Sequence, residues 1–214
     1  MNVALDGENV DEHLFISEEE TFDVNCTLIQ PWSTPVMKTR VPDKILGLMT
    51  NMSDAVLASK DAASYADQLV GQLEKETLVP LEVLRQAGLS VFLENLVTQY
   101  VFQCQLQKYP EERAAVLNSN YQSSITSMWV ISQMEHEYNP MHVHPKSDVS
   151  AVLYLKMPEM LADRKAGRTD DGCITFIGNA GADTRLSKPV LQIKPEIGDL
   201  YLFGANQLHS VNPF

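Results

Sequence analysis

Cysteine is nearly absent: the 214 residues hold three, Cys26, Cys104 and Cys173. An odd number so widely spaced excludes a disulfide framework and a zinc knuckle, and predicts a reducing compartment, the cytoplasm. Ten glycines and eleven prolines are too few for a collagen-like or low-complexity chain. No apolar run approaches the ~20 residues that cross a bilayer, so no membrane span is expected. The opening MNVALDGENVDEH lacks a basic stretch followed by an apolar one, so no signal peptide is predicted. Basic residues are scarce as well. Sixteen Lys and Arg face 28 Asp and Glu, for a net charge of −12, and such a chain offers no basic footprint for nucleic acid.

What remains is ordinary for a globular protein, 44% hydrophobic and 21% charged. The length predicts one domain with enough chain to bury a core. Acid is concentrated at the start. Residues 1–37 hold Asp6, Glu8, Asp11, Glu12, Glu18, Glu19, Glu20 and Asp23, and no Lys or Arg. Residues 1–23 therefore read as a solvated, poorly ordered terminus, or else as an interaction tail. Residues 24–214 read as the single domain.

That domain changes character near residue 120. Residues 24–38 are β-branched and interrupted by two prolines, which predicts an irregular strand leading into a helix. From Val41-Pro42-Asp43 onward, Ile45, Leu46, Met49, Met52, Val56 and Leu57 repeat at helical spacing. Residues 62–77 also read as helical, despite Gly71. So do residues 80–106, with Pro80 in the first turn and a break at Gly88. Residues 111–115 add one more turn. The helical part thus covers about 40–118 and the β core about 120–214.

After Tyr121 the period falls to about two. Residues 124–133, 150–156, 173–177, 190–193 and 199–203 read as short strands. Asn139-Pro140, Asp171-Gly172, Lys194-Pro195 and Ile197-Gly198 punctuate them. Helices first, then many short strands without helical crossovers, predict an α+β fold with an antiparallel β core. Trp129 and Met128 are expected in that core, and Cys173 is expected to be buried. The polar insert 159–171, with Arg164, Lys165 and Arg168, reads as a solvated loop or a lid.

Three of the five histidines stand out. His142 and His144 form an H-x-H pair in NPMHVHP, and on extended backbone residues two apart face the same way. His209 follows 65 positions later, just past DLYLF. A pair on one strand with a distant His from a late strand suits a metal at the mouth of a β-barrel, and imidazole suits Fe, Zn, Cu or Ni. Three protein ligands leave open positions, which is the catalytic pattern. A carboxylate would complete a 2-His-1-carboxylate triad. Asp148, Glu135 and Glu137 are the candidates, and spacing does not choose among them.

Together these residues resemble the 2-oxoglutarate/Fe(II)-dependent oxygenase superfamily. The string runs from Trp129 to Tyr138-Asn139-Pro140-x-His142-x-His144. SAVLYLKMP (150–158), GCITF (172–176) and the stretch from PEIGDLYLF to LHSVNPF (195–214) match as well, as does QLVGQLEKE (68–76) upstream. The branch it is most similar to comprises oxygenases of marine bacteria and tailed phages, related to prolyl 4-hydroxylases. The resemblance implies a double-stranded β-helix (jelly-roll) core with N-terminal helices packed outside. It also implies iron held by His142 and His209, with 2-oxoglutarate as cosubstrate. The family's H-x-D becomes H-x-H here, so His144 or Asp148 is the third ligand. The family's basic anchor for 2-oxoglutarate falls beyond Phe214, five positions after His209. Within the chain, Tyr154 shares a strand face with Ser150 and Val152 and is a candidate cosubstrate contact. Gln133, four residues from Trp129, is another.

The function implied is a dioxygenase of the hydroxylase type acting on a small molecule or a protein side chain. Two other readings stand beside it. H-x-H followed by Asp148 also resembles the cupin pattern, a metalloenzyme without 2-oxoglutarate. A jelly-roll without catalytic metal would be a structural or binding module.

Overall fold

The computed structural model describes residues 21–29, 35–66, 69–158, 170–178 and 188–214. The acidic stretch 1–20 and residues 159–169 of the polar insert lie outside the described residues.

Strands β1 (Cys26–Ile29) and β2 (Val36–Arg40) pair antiparallel. The early segment is thus two strands where the sequence suggests one. Helix α1 (Asp43–Ala58) follows, with Pro42 at its N-cap and Ile45, Met49 and Met52 buried on the expected stripe. The described residues of 62–77 form no α-helix. They lead as irregular chain into β3 (Lys75–Leu78), which pairs with β4 (Trp129–Ser132). The window does carry a stripe at helical spacing (Ala62, Tyr65, Ala66, Leu69, Val70 and Leu73), so here the pairing of Lys75–Leu78 with β4 overrides local helix propensity. Gly71 fits this placement: a Cβ there would lie 2.5 Å from the buried Glu76 carboxylate.

Helices α2 (Leu81–Gln86) and α3 (Leu89–Lys108) are separated by Gly88, whose φ of 71° only glycine adopts without cost. A 3-10 turn (Pro110–Glu112) and α4 (Arg113–Leu117) close the helical part. The remaining strands are β5 (Asn139–His142), β6 (Val149–Leu153), β7 (Ile174–Ile177), β8 (Val190–Ile193), β9 (Asp199–Gly204) and β10 (Leu208–Val211). Only Trp129–Ser132 of the expected 124–133 strand is regular.

Two four-stranded antiparallel sheets result, with orders β1-β2-β9-β6 and β5-β10-β7-β8. Side chains alternate along β9 and sort the core into two parts. Leu200 and Leu202 join Met37 of β2 against Ile45, Met49, Leu89 and Leu96 of the helices. On the other face, Tyr201 and Phe203 join Val36 against Ile174 and Phe176 of the second sheet. Mixed helices and antiparallel sheets fit the α+β expectation. Among the described residues, no helix is long and apolar enough to cross a membrane. None of Cys26, Cys104 and Cys173 is in a disulfide.

Candidate metal centre

β5 and β10 lie side by side, and their register sets His142 directly opposite His209. His144 follows two residues past His142, where its backbone N–H donates to the Ala205 carbonyl at 2.8 Å. The three imidazoles converge. Their ligand nitrogens all lie within 4.8 Å of one another, and the rings of His142 and His209 stand 4.2 Å apart. His209 is buried, while His142 and His144 are half-buried at the cavity side.

Two of the rings are oriented from behind. A carbonyl oxygen only accepts, so His142 Nδ1–H donates to Pro140 O (2.7 Å) and His209 Nδ1–H donates to Gln207 O (2.9 Å). Each bond fixes the tautomer and leaves Nε2 with a free lone pair, the form a metal needs. Electrostatics agree. Burial pushes the His209 pKa down to about 3 and the His144 pKa to about 4, and also lowers that of His142 despite its bond to Pro140. All three rings are therefore neutral at neutral pH.

Aromatic rings pack around the trio. Phe203 and Phe176 contact His209 from within the core, with centroids at 4.7 and 6.2 Å. Trp129 sits 5.6 Å from His144 and is itself stacked on Tyr65 at 5.3 Å. Trp129 is half-buried and lines the cavity, so it does not lie in the closed core expected of it. The contact of Tyr65 with this group has no motif in the sequence to announce it.

None of the carboxylate candidates belongs to the group that could hold a metal. Asp148 accepts the Ala205 N–H through its backbone carbonyl. Glu137 accepts the Glu74 N–H (2.8 Å) and the Met134 N–H (2.6 Å), which ties two loops together. Glu135 faces the exposed His136. Gln133 acts as a strut: its Nε2 donates to Glu137 O (2.7 Å) and Asn212 O (3.1 Å).

An open cavity of about 1980 Å³ fronts the trio. It runs along β4 on one side and β6 on the other. Each of these strands has one hydrogen-bonded neighbour among the described residues. Ser150, Val152 and Tyr154 contribute to its wall, and Tyr154 packs with the inter-sheet core as its strand face predicts. The Tyr154 hydroxyl is buried and has no hydrogen-bond partner. Burial first, then the nearby Cys173 and Asp199, keep this phenol protonated. On the same face, the partly exposed Lys38 Nζ meets the buried Asp199 at 2.8 Å, and the Tyr201 hydroxyl donates to the same carboxylate oxygen. Lys156, which also lines the cavity, is bound to Asp54.

Residues 127–214 match a family model described as "Putative 2OG-Fe(II) oxygenase". The matched stretch contains all three histidines, and it supports the oxygenase superfamily as the source of this site. No curated protein matches the chain.

Proposed function

We propose that this chain is an Fe(II)- and 2-oxoglutarate-dependent dioxygenase of the hydroxylase type, with iron held by His142, His144 and His209. The observation that carries the reading is the convergence of three neutral imidazoles, two of them locked with Nε2 forward. Three facial nitrogen donors suit a divalent transition metal and leave positions for cosubstrate and oxygen. The two stacked antiparallel sheets are then the halves of a double-stranded β-helix, with the helices outside it. The resemblance to the branch found in marine bacteria and phages, and to prolyl 4-hydroxylases, belongs to this same reading, as does a cytoplasmic location.

The cosubstrate also finds a fitting group. A buried hydroxyl with no partner is costly unless something arrives to accept its hydrogen bond, and a carboxylate does so best. Tyr154 is that hydroxyl, on the wall of the cavity that the histidines face. Bound iron and 2-oxoglutarate would supply the activation of dioxygen for oxidation of a C–H bond. The protein's part is to orient the ligating nitrogens, receive the cosubstrate carboxylate and shield the site with Phe203 and Phe176. Gln133 shapes the wall between β4 and the strand end at Asn212. The substrate is a small molecule or a protein side chain entering through the open cavity.

The test is an anaerobic Fe(II) titration with and without 2-oxoglutarate, followed by succinate measurement in air. A visible charge-transfer band that needs both components, together with succinate, supports the proposal. Iron binding that is indifferent to 2-oxoglutarate points to a cupin-type metalloenzyme, a reading that the all-histidine donor set also fits. Absence of metal binding leaves a non-catalytic jelly-roll module.

A further inference from the structure

The three histidines are not held alike. His142 and His209 each have Nδ1 tied to the carbonyl two residues earlier. Among the described residues the His144 ring has no hydrogen-bond partner, and only its backbone N–H is anchored. An imidazole turns freely about its ring torsion, whose energy wells are broad. A ligand without a hydrogen bond behind it therefore needs packing to stay aimed.

That packing is present. The Trp129 indole lies against the His144 ring, tilted by 48° with centroids 5.6 Å apart. Tyr65 backs the indole, stacked at 29° and 5.3 Å. Both rings stand on fixed backbone. Trp129 pairs with Leu78 across the β3–β4 ribbon, and the Tyr65 N–H donates to Glu76 O at 2.7 Å. Neither ring is a metal ligand.

We propose that Trp129 and Tyr65 are positioning residues for the metal centre. Their stacked rings hold the His144 imidazole at its ligating angle, the task that backbone carbonyls perform for His142 and His209. The inference rests on the proposed metal site. It makes His144 the ligand whose aim depends on side chains far off in sequence.

Co(II) binding to the full chain tests it. Loss of a group that orients a ligand typically weakens metal binding about tenfold or more, and that loss is expected for Trp129→Leu and Tyr65→Ala. Trp129→Phe, which keeps a flat ring, should restore most of the affinity. The same changes are then made beside His144→Asp, whose short carboxylate does not need the indole. There they should alter affinity by less than about twofold, since independent sites do not couple. Equal losses in both backgrounds, or no loss in either, would overturn the proposal. Tyr65 is half-exposed, so Tyr65→Ala keeps the test open should the Trp129 variant misfold. In the metal-free protein, ring-carbon relaxation by NMR should show His144 as rigid as His142, and mobile in Tyr65→Ala. Unchanged mobility there also refutes the inference. Failure of the unaltered chain to bind Co(II) refutes the oxygenase reading instead, and the relaxation measurement still decides this one.

Discussion

Along β9, neighbouring residues serve two different interiors. Leu200 and Leu202 enter a core shared with the helices, mainly aliphatic and methionine side chains with Phe92 and Tyr100 among them. Tyr201 and Phe203, one step away in each case, enter a core of aromatic rings that also holds His209. The first interior is built of apolar groups, several of which, Met49, Leu96 and Leu202 among them, also line the cavity. The second contains an ion pair, a phenol without a partner and a cluster of neutral imidazoles. Such groups are expensive to bury and are kept where they serve a site. The difference teaches that the helical side supplies stability, while the inter-sheet side gives up some of it for chemistry.

Substitutions can break that division. The largest effect is expected from His209→Ala, which should lower Fe(II) or Co(II) affinity by more than about a hundredfold, because the proposed site then loses one of its three nitrogens. Calorimetric titration reads this, and far-ultraviolet circular dichroism should stay unchanged. Next is Ile45→Ala, fully buried against α1's neighbours, which should cost about 2–5 kcal/mol in urea unfolding. Its folded fraction should bind metal as the unaltered protein does; a parallel loss of metal affinity would show that the two interiors are one. Lys38→Met comes third. It removes the cation from the buried Asp199 carboxylate, which keeps the Tyr201 hydroxyl and the Glu196 N–H as donors, and should cost about 1–3 kcal/mol by the same measurement, with little effect on the metal.

A change of pH sharpens the comparison in a different way. Burial holds His209 near 3 and His144 near 4, against 6.5 for a free ring. Between those values the unfolded chain binds more protons than the folded one, so stability rises with pH across the window. The metal-free protein is therefore at full strength above about 6.5 and loses stability as the pH falls toward 4 and then 3. Urea unfolding at about pH 7 and pH 5 should show the difference. Ile45→Ala should lower both values alike, whereas His209→Asn should shrink the gap between them.

Much of this was legible in the sequence because it rests on local spacing. Alternation in DLYLF marks a two-faced strand, the i, i+2 spacing aims His142 and His144 together, and Gly88 marks the break between α2 and α3. What was not legible depends on pairing across the chain. Lys75–Leu78 becomes a strand only because Trp129–Ser132 lies beside it. The contact of Tyr65 with Trp129 arises from that ribbon and from the chain that folds over it. The H-x-H motif illustrates the same limit: spacing left Asp148, Glu135 and Glu137 open as partners of the histidines, and among the described residues the group that the strands bring together is His142, His144 and His209.

The register that sets His142 opposite His209 has a mechanical side. An ion gripped by both would clip the chain to itself across 67 positions, enclosing every strand from β6 to β9. Closing so long a loop removes a large share of the freedom available once the chain opens, so the ion works as a reversible crosslink. Proteases should find the loaded protein harder to enter within that span. A chelator would unfasten it without cutting a covalent bond.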